Sequence, residues 1–248
     1  MKITFIHHSC FVVEIEDQVL VFDYFDGERI EGYHFSGVLP EFRPDQKLYF
    51  FASHSHKDHF DRNILKLVEQ YPDIHYILSK DCKMTEKFMK RHGIPERAKD
   101  RILYVTGERE YQLDALKVET LRSNDAGVAF LVNVCGKNIY HAGDLNIWKF
   151  EGAGELINGK SEREYRFQIK KLADKHINAA FVVLDPRLGA YANLGLSCFL
   201  RNVDADLVFP MHMWQKYDIL TKYKKMCDNK LILERIADIS EENQCFEI

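Results

Sequence analysis

The sequence predicts an α/β (α+β) fold, a four-layer αββα sandwich of two mixed sheets packed face to face and flanked by helices. Three observations carry this. The chain holds two β-rich blocks, one before residue 60 and one after residue 100, made of short runs rich in β-branched and aromatic residues. Each block is accompanied by segments with helical apolar periodicity, so each sheet has helices to cover it. No linker or low-complexity stretch interrupts the 248 residues, and no short-period repeat is visible, so one domain spanning 1–248 is expected.

Taken in order, Ile3–Ile6, Cys10–Glu16 and Val19–Asp23 alternate like strands of an antiparallel meander, with a tight turn at Asp17-Gln18. Residues 25–46 carry Gly27, Gly32, Gly37, Pro40 and Pro44 without periodicity and read as a long loop, a feature that is often functional. A strand follows at Leu48–Ala52, then a helix over Asp61–Gln70 with Ile64, Leu65, Leu67 and Val68 as its apolar stripe. A strand at Ile74–Leu78 and a helix near Met84–Lys90 come next. Strands recur at Ile102–Val105, Leu116–Leu121, Val128–Val134 and Asn138–His141, with a hairpin turn at Gly136-Lys137. The remainder alternates: a polar helix near Glu162–Lys175, a strand at Ala180–Leu184, a helix at Leu194–Asn202, a strand at Leu207–Pro210 and a helix at Tyr217–Met226.

Composition excludes several classes of function. Apolar residues make up 46% of the chain and the formal net charge is −4, an ordinary globular balance that demands no polyanionic partner. The one basic cluster, Lys87, Lys90, Arg91, Arg97, Lys99 and Arg101, is interrupted by Glu96 and Asp100 and reads as a solvated helical face, so nucleic acid is not the expected partner. The N-terminus lacks a signal-peptide core and no later stretch is apolar over about 18 residues. A cytoplasmic protein without a membrane partner is expected. Its six cysteines are scattered without a Cys-x-x-Cys pair, as reduced thiols are. A homo-oligomer is left open.

The chemistry is concentrated in His54-Ser55-His56-Lys57-Asp58-His59, four metal-ligand side chains within six residues after an apolar strand. An extended backbone would turn His54 and His56 to the same side, toward one cation, with Asp58 and His59 beside a second. Clustered imidazoles and a carboxylate make poor packing material, so metal binding outweighs a structural role.

This run resembles the His-x-His-x-Asp-His signature of the metallo-β-lactamase-fold hydrolases. Tyr140-His141-Ala142-Gly143-Asp144 and Phe209-Pro210-Met211-His212 resemble that family's fourth and fifth motifs in the right order, and Asp23 matches its first. His7-His8 before Ser9-Cys10-Phe11 is similar to the Gly-His-Ser opening of the branch that includes ascorbate-6-phosphate lactonases. The resemblance implies that Asp144 bridges two metals and that His212 is the final ligand of the second. It also implies that Asp23 holds a ligand imidazole in its tautomer. His141 would support its loop, and His8 either lines the pocket or packs at a strand end.

The third motif departs from the family. Where a histidine is expected, Arg122-Ser123-Asn124-Asp125-Ala126-Gly127 stands before the strand at Val128, and Asp125 is the best substitute because a carboxylate binds a divalent cation more strongly than an amide or a hydroxyl. The cofactor is one or two divalent ions, zinc, or manganese or iron, the latter two favoured by added carboxylates. The expected function is metal-assisted hydrolysis of an ester, lactone or phosphodiester bond in a small molecule. Asp58 would orient the attacking water and handle its proton. Tyr33 and His34 in the long loop, and Arg187 after the strand at Ala180–Leu184, are candidate substrate contacts, each weighed against an ordinary surface role. Two alternatives stand: a catalytically silent metal-binding protein, given the broken third motif, and a nucleic-acid phosphodiesterase.

Overall fold

The computed structural model describes residues 1–248. The chain forms two compact units, Met1–Thr106 joined by Glu242–Ile248, and Gly107–Glu241, and each is built on one mixed sheet with helices. The α/β class and the mixed character of both sheets agree with the sequence. No helix is long and apolar enough to cross a membrane.

The first unit opens with the expected meander, β1 (Lys2–His7), β2 (Cys10–Ile15) and β3 (Gln18–Phe22), all antiparallel neighbours. The chain then crosses over through the long loop and continues in parallel with β4 (Lys47–Ala52), β5 (Ile74–Ser79) and β6 (Ile102–Val105). Both faces of β4 and β5 are buried along most of their length, which explains why they read as continuous apolar runs. Phe22 lies opposite Phe51 in the parallel pair β3–β4, so the two strands end level and the residues after them, Asp23 and Ser53, emerge side by side. The stripe expected at 61–70 is a 3-10 helix, Arg62–Glu69, capped by Asp61 and burying Ile64, Leu65 and Val68. A short helix α1 (Glu86–Arg91) follows, capped by Thr85.

In the second unit β7 (Glu110–Leu113), β8 (Leu116–Arg122), β9 (Val128–Val134) and β10 (Lys137–His141) form an antiparallel run. The β9–β10 hairpin turns at Cys135-Gly136, both in the left-handed region, as a two-residue turn of this type requires. Helix α2 (Gly154–Ile169) then leads to β11 (His176–Val183), helix α3 (Leu194–Asn202) packs on β11 and on β12 (Asp204–Met211), and α4 (Asp218–Met226) and α5 (Lys230–Leu233) follow. β10, β11 and β12 are parallel, with His141 level with Phe181 and Phe181 level with Phe209. The segments after these strands therefore leave from one edge of the sheet, where ligand-binding loops of open α/β sheets gather. Finally β13 (Gln244–Glu247) returns to pair with β1 in the first unit.

The sequence missed β7 and β13 and started α2 too late. The two strands are four-residue edge strands with alternating exposure and charged positions, which carry little apolar signal. The helix begins at Gly154 with no side-chain cap and contains Gly159, so apart from Glu155 in its first turn it lacks the usual start signals.

Candidate metal centre

In the first unit the site grows from the level ends of β3 and β4. Asp23 takes a left-handed φ of 47°, unusual for a non-glycine residue, and its fully buried carboxylate turns toward the segment after β4. Asp23 Oδ1 accepts from the Ser53 backbone N–H at 2.7 Å, and Oδ2 accepts from Ser53 Oγ at 2.6 Å and from His59 Nδ1 at 2.7 Å. A hydroxyl has one proton, and Ser53 gives it to Asp23. His54 Nδ1, 2.9 Å from Ser53 Oγ, must therefore donate to that oxygen. One carboxylate thus sets two imidazoles, His59 directly and His54 through Ser53, and leaves both Nε2 lone pairs available.

The ligand run is not the extended strand end expected from the sequence. β4 stops at Ala52 and the chain turns, with His59 N and Phe60 N both bonded to His56 O. The turn still brings His54 Nε2 to 2.9 Å from His56 Nδ1, so the two ring nitrogens lie close enough to serve one cation. Asp58 and His59 face a different neighbour, His8. Its Nε2 lies 3.3 Å from Asp58 Oδ2, and His59 Nε2 is 3.8 Å from the same oxygen. One ligand atom from each of His8, Asp58 and His59 falls within 4.8 Å of the others, a spacing a single cation could bridge. His8 follows a bulge in β1, has φ 50° and is buried, so a strained backbone presents it.

The long loop packs against this cluster. Phe35 is buried against His7, His8 and Phe25, with ring centroids 5.4, 5.6 and 5.4 Å away, and half-buried Tyr33 stacks on Phe35 at 5.8 Å. His34 is exposed. Gly37 is needed here, since a Cβ would stand 2.3 Å from Ile6 O and 2.5 Å from His7 Nδ1. Burial pulls the His7 imidazole down to about 4.

In the second unit Asp144 and His212 leave neighbouring parts of the sheet edge, both buried, with His212 Nε2 3.4 Å from Asp144 Oδ1. Gly143 bends the first segment at φ 51°, and its N–H donates to His141 Nδ1 at 3.1 Å, so His141 braces that loop. His212 Nδ1 lies 3.0 Å from Asp185 Oδ2, repeating the Asp23–His59 relation. Burial pushes Asp185 up, but the bond from His212 and the Arg187 guanidinium outweigh it and hold the carboxyl well below the usual range.

Asp125 is exposed on the loop between β8 and β9, where with Arg122, Lys160 and Arg163 it lines a cleft of about 630 Å³ in this unit. Its backbone N–H donates to Ser123 Oγ at 3.2 Å, while Asn124 is committed to the fold through bonds to Asn146 O and to Ser161. Sequence reasoning passed over Ser53, Asp185 and Trp214. Ser53 could have been noticed from its place beside the ligand run. Asp185 heads the Asp-Pro-Arg segment and caps the turn after β11, a local job that hides the long-range one.

The chain matches the family described as the Beta-lactamase superfamily domain over residues 2–152, more than half its length. It belongs to that superfamily. The metallo-β-lactamase fold is also visible against solved structures. Igni18, a metallo hydrolase from the hyperthermophilic archaeon Ignicoccus hospitalis, aligns with a TM-score of 0.57 at 15% identity, covering 100% of this chain and 98% of that one. YhfI, a metallo-β-lactamase fold protein from Bacillus subtilis, gives 0.60 at 12% identity with 99% of each chain covered. CmlA, a diiron β-hydroxylase from Streptomyces venezuelae, gives 0.58 at 9% identity over 100% of this chain and 54% of that one. At these identities the likeness is one of fold. No curated protein sequence matches the chain.

The donor set fits a divalent cation. Imidazole nitrogens and carboxylate oxygens converge in each unit, and buried acceptors fix the tautomers of His54, His59 and His212 so that each Nε2 can serve as a ligand.

Proposed function

We propose that the protein is a metal-dependent hydrolase acting on an ester, lactone or phosphodiester bond of a small molecule in the cytoplasm, with residues 1–248 working as one functional domain. The observation that supports this most is the Asp23 carboxylate orienting both His59 and His54, because such costly buried order serves ligation and not packing. In this reading His54, His56, Asp58 and His59 are metal ligands of the first unit, Asp144 and His212 are metal ligands of the second, and Asp125 supplies the one the third motif lacks. His8, which the sequence left between pocket lining and packing, joins Asp58 and His59 as a further ligand or contact.

A bound zinc, manganese or iron ion would lower the pKa of a water toward neutrality and stabilise charge on the substrate oxygen. Asp58, oriented by His8, accepts the proton of the attacking water and returns it to the leaving group. Tyr33 and His34 border the approach from the long loop.

The test is elemental analysis of the purified protein followed by turnover of a panel of lactones, carboxylic esters and a generic phosphodiester, with chelated protein as control. Chelator-sensitive turnover that Asp58→Asn abolishes supports the reading. Bound metal with no turnover on any substrate favours the silent metal-binding alternative. A nucleic-acid substrate is disfavoured because cations of the basic stretch are already paired, Arg97 with Glu69 at 2.8 Å and Lys99 with Glu86 at 3.1 Å. Salt-sensitive retention on RNA or DNA would reverse that.

A further inference from the structure

We propose that Arg187 is a positioning residue for His212, clamping it through Asp185 and Trp214, and not a substrate contact; this rests on the metal reading only where metal affinity is concerned. Arg187 Nε donates to Asp185 Oδ1 and Oδ2 at 3.0 and 2.9 Å, its Nη2 donates to Oδ2 at 2.6 Å, and its backbone N–H donates to Oδ1 at 2.8 Å. The guanidinium fork is thereby committed to the carboxylate that holds His212 Nδ1. The other side of the clamp is aromatic. Arg187 Cζ lies 4.4 Å from the centre of the Trp214 ring, and Trp214 meets His212 edge-on, at 5.5 Å between ring centroids and 88° between planes.

The segment needs such a clamp. His212, Trp214 and Gln215 all take left-handed φ values, 65°, 51° and 58°, each a conformation that costs a non-glycine residue free energy. Three such residues within four positions persist only when their side chains are held from outside. Arg187 does this from the turn after β11, tying it to the turn after β12 with one planar cation. Trp148 flanks the same imidazole at 6.0 Å, and its Nε1 donates to Asp144 O at 2.8 Å. Both tryptophans of the chain are thus beside His212, so tryptophan emission excited selectively reports on this place.

The experiment compares wild-type protein with Arg187→Ala, Arg187→Lys and Trp214→Phe. In metal-free protein, Arg187→Ala should shift tryptophan emission and convert the single His212 tautomer, read from its ring nitrogen resonances, into a mixture. Zinc affinity, measured by chelator competition, should fall about 10- to 100-fold. Arg187→Lys keeps the charge but loses the fork and should recover only part of both signals. The double change Arg187→Ala with Trp214→Phe should cost less than the sum of the singles. An unchanged His212 tautomer with unchanged zinc affinity overturns the proposal, and so does an Arg187→Ala effect confined to KM. Wild-type protein that binds no zinc defeats the metal reading, and the tautomer result then decides the clamp by itself. Should Arg187→Ala fail to fold, the lysine variant carries all three readouts and Trp214→Phe carries the tautomer and zinc readouts.

Discussion

Asp23 and His59 form a buried pair, Oδ2 to Nδ1 at 2.7 Å, although 36 residues separate them in the chain. The pair exists because β3 and β4 are parallel and end level, which places the residue after one strand beside the turn after the other. Asp23→Asn preserves volume but offers His59 an amide in place of a full acceptor. Divalent-metal affinity should fall about 10- to 100-fold, and stability should fall by about 1–3 kcal/mol because a buried donor loses its charged partner. Chelator competition and urea unfolding measure the two effects, and undiminished affinity would remove the orienting role.

Ser53 relays the same carboxylate to His54, so Ser53→Ala leaves the Asp23–His59 bond intact and strips His54 Nδ1 of its acceptor. The expected loss of metal affinity is confined to the metal served by His54 and His56, and stability should fall by about 1–3 kcal/mol because the buried His54 donor loses its acceptor. Equal weakening of every bound ion, or of none, would contradict the relay.

The His-rich run, Asp144 and His212 stand out in the sequence because residue types able to bind metal sit there at the ends of apolar strands. The acceptors behind them were less legible. Asp23 was found only through a family resemblance, and Ser53 and Asp185 not at all, since each acts across a parallel register that no local pattern encodes. The strands of both sheets were readable from their buried runs, whereas the edge strands β7 and β13 and the uncapped start of α2 lack the signals that mark an element. Arg187 shows the same limit in reverse. Read alone it is an exposed cation fit for a substrate, and only the fold shows its fork on Asp185.

Away from the site, His176 opens β11 between Asp204 and Asp206, which raise its pKa, the hydrogen bond to Asp204 being the largest cause. A folded pKa above the unfolded value of about 6.5 means the native state binds the proton more tightly. The contribution is full below the unfolded pKa and is lost as pH rises through the folded one. His176→Gln should therefore destabilise the protein slightly at pH 5.5 and have no effect at pH 9, an exposed pair being weak. A larger loss at pH 9 in urea unfolding would contradict the assignment.

Asp125 carries the last prediction. It stands where the family's third-motif histidine is expected, just before Gly127 with φ 63° and the first residue of β9. Its exposure does not disqualify it, for His56 is exposed as well. If it supplies the third-motif ligand, metal binding should be sensitive to Asp125→Asn, because an amide oxygen binds a divalent cation far more weakly than a carboxylate. Metal stoichiometry should fall by one ion at sub-saturating zinc, while the ion near Asp58 and His59 is retained. If stoichiometry and affinity are unchanged, Asp125 belongs instead to the cleft it lines with Arg122, Lys160 and Arg163, where a carboxylate balances nearby cations. The third-motif ligand would then be missing, and the catalytically silent metal-binding reading would gain ground.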